Sequence, residues 1–186
     1  MLIETERLLL REVEEPDFDA IHDYASDPEV VQYVPWGPNT ERVTRDFIEN
    51  CITKAEADPR LEYVLAVVPK RQSRLVGTVG IYLSSAGAHS AMLGYAYGRE
   101  AWGDGIATEA ARPMMELAFD VLGVDRVWAS CDSDNSASAR VLQKVGMTLE
   151  GHLRHDQIIR GVLRDSLVWG MLRDEWLNRS QPEESS

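Results

Sequence analysis

The chain has 186 residues, 44% of them hydrophobic, with 31 acidic against 19 basic side chains for a formal net charge of −12. That length fits one domain, at roughly 150 residues per domain, and lets about 70% of the unfolded surface be buried without disulfide or metal staples. The acidic balance excludes a duplex nucleic-acid binder, which needs a dense basic face, and no apolar run reaches the roughly 20 residues of a membrane span.

At the amino terminus, "MLIETERLLLR" places acids before its apolar run and lacks the basic start of a secretion signal. The protein is therefore expected to be soluble and cytoplasmic, with no membrane partner. "ERLLLREV" reads as a strand. In "EEPDFDAIHDYASD", Pro16 and Asp17 suit a helix start and Phe18, Ile21 and Tyr24 share a face. "PEVVQYVPWGPNT", broken by three prolines and a glycine, reads as a loop. Asn39 or Thr40 can cap the next helix, which runs to about Ala57 with Val43, Phe47, Ile48 and Cys51 inward. Cys51 and Cys131 lie 80 positions apart without metal-ligand spacing and read as buried thiols.

"EYVLAVVP", "RLVGTVGIYLS" and "AMLGYAYG" are strand-like and separated by turn-rich pieces, which suggests antiparallel hairpins. A helix is expected from Gly105 to Leu122, kinked at Pro113. "DRVWASCD" follows as a strand, "NSASARVLQKVG" as a helix closed by Gly146, and "MTLEGHLRHDQIIRG…LRDSLVWGMLRDEW" as two final strands. The order βααβββαβαββ describes an α/β protein with a mixed sheet and helices on both faces. One domain is expected over 1–178; the polar stretch "NRSQPEESS" supplies a disordered tail at 179–186.

"AWGDGIATEA", Ala101–Ala110, puts glycines between a strand and a helix. The first N–H groups of a helix lack internal partners and its dipole is positive there, so bare main chain at that point is an anion site. The alternatives fail on spacing. Gly105 is not followed by lysine, so there is no P-loop, and a dinucleotide fingerprint would need glycine where Thr108 stands.

"WGDGIATEA" after "MLGYAYG", followed by "DRVWASCDSDNSASARVLQKVGM" and "LEGHLR", resembles the GNAT superfamily of N-acetyltransferases. "ETERLLLRE" at 4–12 and "RGVLRDSLVWGML" at 160–172 resemble its Rim-type branch, which acetylates protein N-termini, notably those of ribosomal proteins. The family pattern [Q/R]-x-x-G-x-[G/A] falls on Trp102, Gly103, Asp104, Gly105, Ile106 and Ala107, with Trp102 in place of the glutamine or arginine. The resemblance implies a mostly antiparallel sheet with splayed strands and helices on both faces, and acetyl-CoA as acetyl donor. It implies that the backbone from Gly103 to Thr108 holds the pyrophosphate and that pantetheine lies along Leu93, Tyr95, Ala96 and Tyr97. Arg99, Arg140 and Lys144 are available to the phosphates, and the resemblance allows a homodimer.

Acetyl transfer needs a neutral amine, and an α-amine of pKa about 8 is roughly 10% neutral at pH 7, against well under 0.1% for lysine. Backbone N–H near Tyr95 or Ala96 can meet charge developing on the carbonyl. Asn135 and Ser138 read either as a helix cap or, by the resemblance, as a CoA contact and a proton donor to the departing sulfur. Relatives carry a carboxylate on the strand after "LEG"; here "HLRHDQIIR" offers Asp156 and His155, with Glu150 upstream. Alternation would put Arg154 and Asp156 on one face and His155 and Gln157 on the other. Tyr33 and Trp36 can wall the acceptor pocket, and Asp27 and Glu29 can attract its cation. The acceptor is a peptide N-terminus or a small amine such as a polyamine, amino sugar or amino acid; a non-catalytic acyl-CoA sensor is the remaining alternative.

Overall fold

The computed structural model describes residues 1–179. Its elements are β1 (Leu2–Glu4), β2 (Leu8–Glu12), α1 (Phe18–Ala25), α2 (Glu41–Ala55), β3 (Glu62–Pro69), β4 (Gly77–Leu83), β5 (Ser90–Tyr97), α3 (Ile106–Glu116), β6 (Arg126–Asp132), α4 (Ser136–Val145), β7 (Thr148–Ile159), β8 (Val162–Leu172) and α5 (Arg173–Arg179). The eight strands form one sheet in the order β1-β2-β3-β4-β5-β6-β8-β7. Every neighbouring pair is antiparallel except β5 and β6, which α3 connects as a crossover.

Helices cover both faces, which explains why β3 reads as a continuous apolar run rather than an alternating one. Val64, Ala66 and Val68 pack with Ile21, Tyr24, Ile48 and Cys51 of α1 and α2. Leu65 and Val67 face the other way, into a larger core with Met114, Met115 and Phe119 after β5 and Leu142 of α4. No helix among the described residues is long and apolar enough to cross a membrane.

Four expectations need correction. In α2 the buried stripe is Thr44, Ile48 and Cys51, whereas Val43 is 39% exposed. Thr44 fits inside because its hydroxyl meets His22 Nδ1 at 3.0 Å, so a polar side chain took the position an apolar pattern assigns to its neighbour. The amino terminus adds the short strand β1, which folds back on β2. The third helix runs α-helically only to Glu116, through Pro113, and widens into a π-turn over Leu117–Val121. Finally, β8 stops at Leu172 because Glu175 Oε2 accepts the Leu172 N–H at 2.8 Å and starts α5. Trp176 of that helix stacks on Phe119, and Arg179, assigned to the tail, donates to Val145 O at 2.6 Å. The rest of the expected tail, 180–186, lies outside the described residues.

Candidate active site

The loop after β5 begins with one 3₁₀ turn, Arg99–Ala101, and reaches α3 through Trp102–Gly105. Gly103 and Gly105 adopt φ of 85° and 76°, the left-handed region where a side chain is costly. A Cβ at Gly103 would meet nothing within 4 Å, so its absence keeps a surface bare rather than relieving a clash. Among the described residues, none of the N–H groups of residues 103–108 donates to a protein acceptor. Six consecutive free amides at a helix start suit an anion such as a diphosphate. Trp102 lies across the base of this loop, its Nε1 donating to Tyr97 O at 3.1 Å.

Arg7 and Glu109 brace the loop from below, and motif reading missed both. Arg7 Nη1 donates to Asp104 O at 3.0 Å and Nε to Glu109 Oε2 at 2.6 Å. Burial alone would raise the Glu109 carboxyl, but hydrogen bonds from Thr5 and from the Arg7 backbone and guanidinium hold it below its ordinary value. The available signal was "ETERLLLRE", which contains both Thr5 and Arg7.

Strands β5 and β6 pair only at Ser90, Ala91 and Met92 with Arg126, Val127 and Trp128. Beyond that they part, and the β6-facing edge of Leu93–Tyr97 is open while the other edge stays paired with β4. An extended amide-bearing arm can pair there as a strand would. Across the gap, Tyr95 Oη donates to Ser138 O at 3.2 Å and shares a hydrogen bond with Ser138 Oγ at 2.8 Å. Burial pushes the Tyr95 phenol well up, so it stays protonated. Asn135 Oδ1 accepts the Ser138 N–H at 3.0 Å and thereby caps α4. Arg140 donates to Ser136 Oγ at 3.4 Å. Arg112 Nη2 donates to Lys144 O at 3.4 Å.

Arg99, which the sequence leaves available to the phosphates, pairs with both Asp27 (2.7 Å) and Glu29 (3.0 Å), the carboxylates expected to attract an acceptor cation. Tyr33 lies near the Arg164 guanidinium, 5.7 Å from ring centroid to Cζ. With Gln32, Ile159, Arg160 and Val162 these two line a pocket of about 240 Å³ between the 31–37 loop and the β7–β8 hairpin. Trp36 is 40% exposed at the end of that loop.

The alternation expected of "HLRHDQIIR" does not hold. Leu153 pairs with Ser166 and Gln157 with Arg164, so Arg154, His155 and Asp156 together face the single residue Asp165. His155 turns to φ 52° within this bulge. Asp165 holds it, accepting the His155 N–H at 2.9 Å and meeting His152 Nε2 at 2.8 Å; these bonds keep its carboxyl below the usual range. His155 and Asp156 border an open depression with His152, Leu153, Arg154 and Asp165. Gln157 donates to Ser166 Oγ at 3.3 Å, and Glu150 is paired with Arg126.

Comparison with known proteins agrees with this geometry. The family described as "Acetyltransferase (GNAT) domain" matches residues 7–148. The Bacillus subtilis (strain 168) protein named "Uncharacterized N-acetyltransferase YnaD" is 30% identical over 177 residues, covering 95% of this chain and 99% of that one. A GNAT-family acetyltransferase from Bacillus anthracis superposes with a TM-score of 0.82 at 28% identity, over 94% of this chain and 100% of that one. RimL α-N-protein acetyltransferase, solved with coenzyme A, shares the fold at a TM-score of 0.81 and 20% identity, over 94% of this chain and 99% of that one. With free amides at a helix start and a sheet opened beside them, the chain belongs to the GNAT family and is an acetyl-CoA-dependent N-acetyltransferase.

Proposed function

We propose that the protein is a Rim-type enzyme that acetylates the N-terminal α-amine of a protein or peptide by direct attack in a ternary complex. The observation that carries this choice is the pairing of four carboxylates, which leaves Asp156, without an ion pair among the described residues, for the amine's proton. Asp27 and Glu29 are taken by Arg99, and Asp132 and Asp134 by Arg164. A polyamine would need such groups free, whereas a chain end presents one amine and an uncharged backbone. The same reading takes the enzyme to be cytoplasmic.

Acetyl-CoA supplies the acetyl group and a thiol leaving group. Residues 103–108 hold its diphosphate through main-chain N–H, with Arg140 at hand for phosphate charge, and Leu93–Tyr97 pair with its arm. Backbone N–H at Tyr95 or Ala96 receives the charge that develops on the carbonyl oxygen as the amine attacks. Ser138, held by Tyr95, hydrogen-bonds the departing sulfur while the C–S bond breaks. The amine's proton leaves through water toward His155 or Asp156, because β7 lies two strand spacings, about 10 Å, from β6. An α-amine makes that demand small, since about 10% is already neutral at pH 7. Tyr33 and Trp36 wall the acceptor.

The test is thiol release from acetyl-CoA over a panel of N-terminal peptides, polyamines, amino sugars and amino acids. Turnover of peptides but not polyamines is expected. Polyamine turnover with inert peptides would overturn the acceptor assignment, and tight acetyl-CoA binding without turnover on any amine would make the protein a sensor.

A further inference from the structure

We propose that Arg7 is a positioning residue that turns the Gly105 amide toward the diphosphate, an inference that rests on reading 103–108 as the diphosphate cradle. The peptide joining Asp104 to Gly105 is trans, so its carbonyl oxygen and its N–H point in opposite directions. Arg7 Nη1 holds the oxygen at 3.0 Å. The N–H is thereby fixed on the side away from Arg7, where no acceptor among the described residues meets it.

A glycine-flanked peptide needs such a pin. Gly103 and Gly105 make the loop bare, but they also let the intervening planes rotate at little steric cost. A flipped Asp104–Gly105 plane would aim a carbonyl oxygen at the diphosphate and replace attraction with repulsion. Arg7 is itself held at two points by Glu109, a residue of the first turn of α3: Nε and its backbone N–H both donate to that carboxylate, at 2.6 and 2.8 Å. Helix start, loop carbonyl and the turn before β2 are thus tied through one guanidinium. Its charge is balanced by Glu109, so the contribution lies in orientation. Lysine, a point charge without a planar fork, cannot reproduce both bonds.

Calorimetric titration with CoA and displacement titration with pantetheine, which lacks the diphosphate, separate this role from a general structural one. Arg7→Gln is expected to weaken CoA about tenfold, the scale of one hydrogen bond to a charged group, with pantetheine unchanged; Arg7→Lys should behave alike. Unchanged CoA affinity, or equal weakening of both ligands, overturns the proposal. If Arg7→Gln does not fold, Glu109→Gln releases the guanidinium and is expected to show the same split in smaller measure. Gly105→Glu serves as the control for the cradle. If it too leaves CoA binding intact, the cradle reading falls; if it weakens CoA and Arg7→Gln does not, only the role of Arg7 falls.

Discussion

Arg164 grips Asp132 through two parallel hydrogen bonds, Nε to Oδ2 and Nη2 to Oδ1, both 2.7 Å. The Asp132 side chain is 1% exposed and ends β6. Its Oδ1 also accepts the Asp134 N–H, and its carbonyl accepts that of Asn135. An arginine from β8 therefore fixes the turn whose Asn135 caps α4 and sets Ser138 against Tyr95. Arg164→Gln leaves a buried carboxylate without its partner and loosens that turn. Turnover is expected to fall by about tenfold to a hundredfold, as small misplacements of reacting groups do, with a much smaller loss of acetyl-CoA affinity. Separate measurements of kcat and cofactor Kd check this, and equal losses in both would reduce the pair to a fold contact.

The braced loop carries a pH signature. Burial raises the Glu109 carboxyl, yet the hydrogen bonds from Thr5 and Arg7 outweigh it and leave the folded value below the ordinary 4.5. A depressed acid stabilises the folded chain above its unfolded pKa, and that contribution disappears as pH falls through the lowered folded value. The difference in Tm between the native chain and Glu109→Gln is therefore expected to be widest above about pH 4.5 and to close in stronger acid. Thermal scans across that range check it; a gap that stays constant contradicts the depressed carboxyl.

Local periodicity and turn chemistry made most of the fold legible. The apolar run of β3, the left-handed glycines at 105 and 146 and the Thr40 cap all act within a few residues of themselves. Of the candidate site, the bare loop and the Asn135–Ser138 spacing were legible. What stayed hidden is polar and long-range. Arg7 reaches Asp104 across 97 positions and Arg164 reaches Asp132 across 32, and an arginine bound for a carbonyl looks in sequence like one bound for solvent. Bulges are equally invisible, since the two extra residues opposite Asp165 break a strict alternation without changing composition.

Both cysteines sit where their thiols are hard to ionise. Burial pushes Cys51 up to about 12, with Glu62 and Glu12 adding to it. Cys131, at the open end of β6, is raised by burial despite contacts with Trp169 and Ser138. At pH 8 a thiol of pKa about 12, such as Cys51, is ionised in only about one molecule in ten thousand, and the thiolate is the reactive form. The folded chain is expected to react negligibly with a thiol-specific reagent and to yield both thiols in denaturant. A fast native thiol that acetyl-CoA protects would show instead that the gap beside Cys131 opens in solution.

Arg160 reaches 123 residues and more back along the chain to tie the 31–37 loop to the β7–β8 hairpin. Its guanidinium donates to the carbonyls of Val31 (2.8 Å), Val34 (3.2 Å), Trp36 (3.1 Å) and Gly37 (3.0 Å). It does so from a two-residue turn with Gly161 in which its own φ is 48°, a conformation glycine adopts more easily. Arg160→Gly therefore eases the backbone while releasing the loop, which separates the tether from the turn. The expected outcome is a Tm close to that of the native chain, unchanged acetyl-CoA affinity, a raised KM for the amine and faster amide exchange over residues 31–37. Raised exchange with an unchanged KM would mean that Tyr33 and Trp36 stand outside the acceptor site. Unchanged exchange would mean that the loop holds its shape without the arginine.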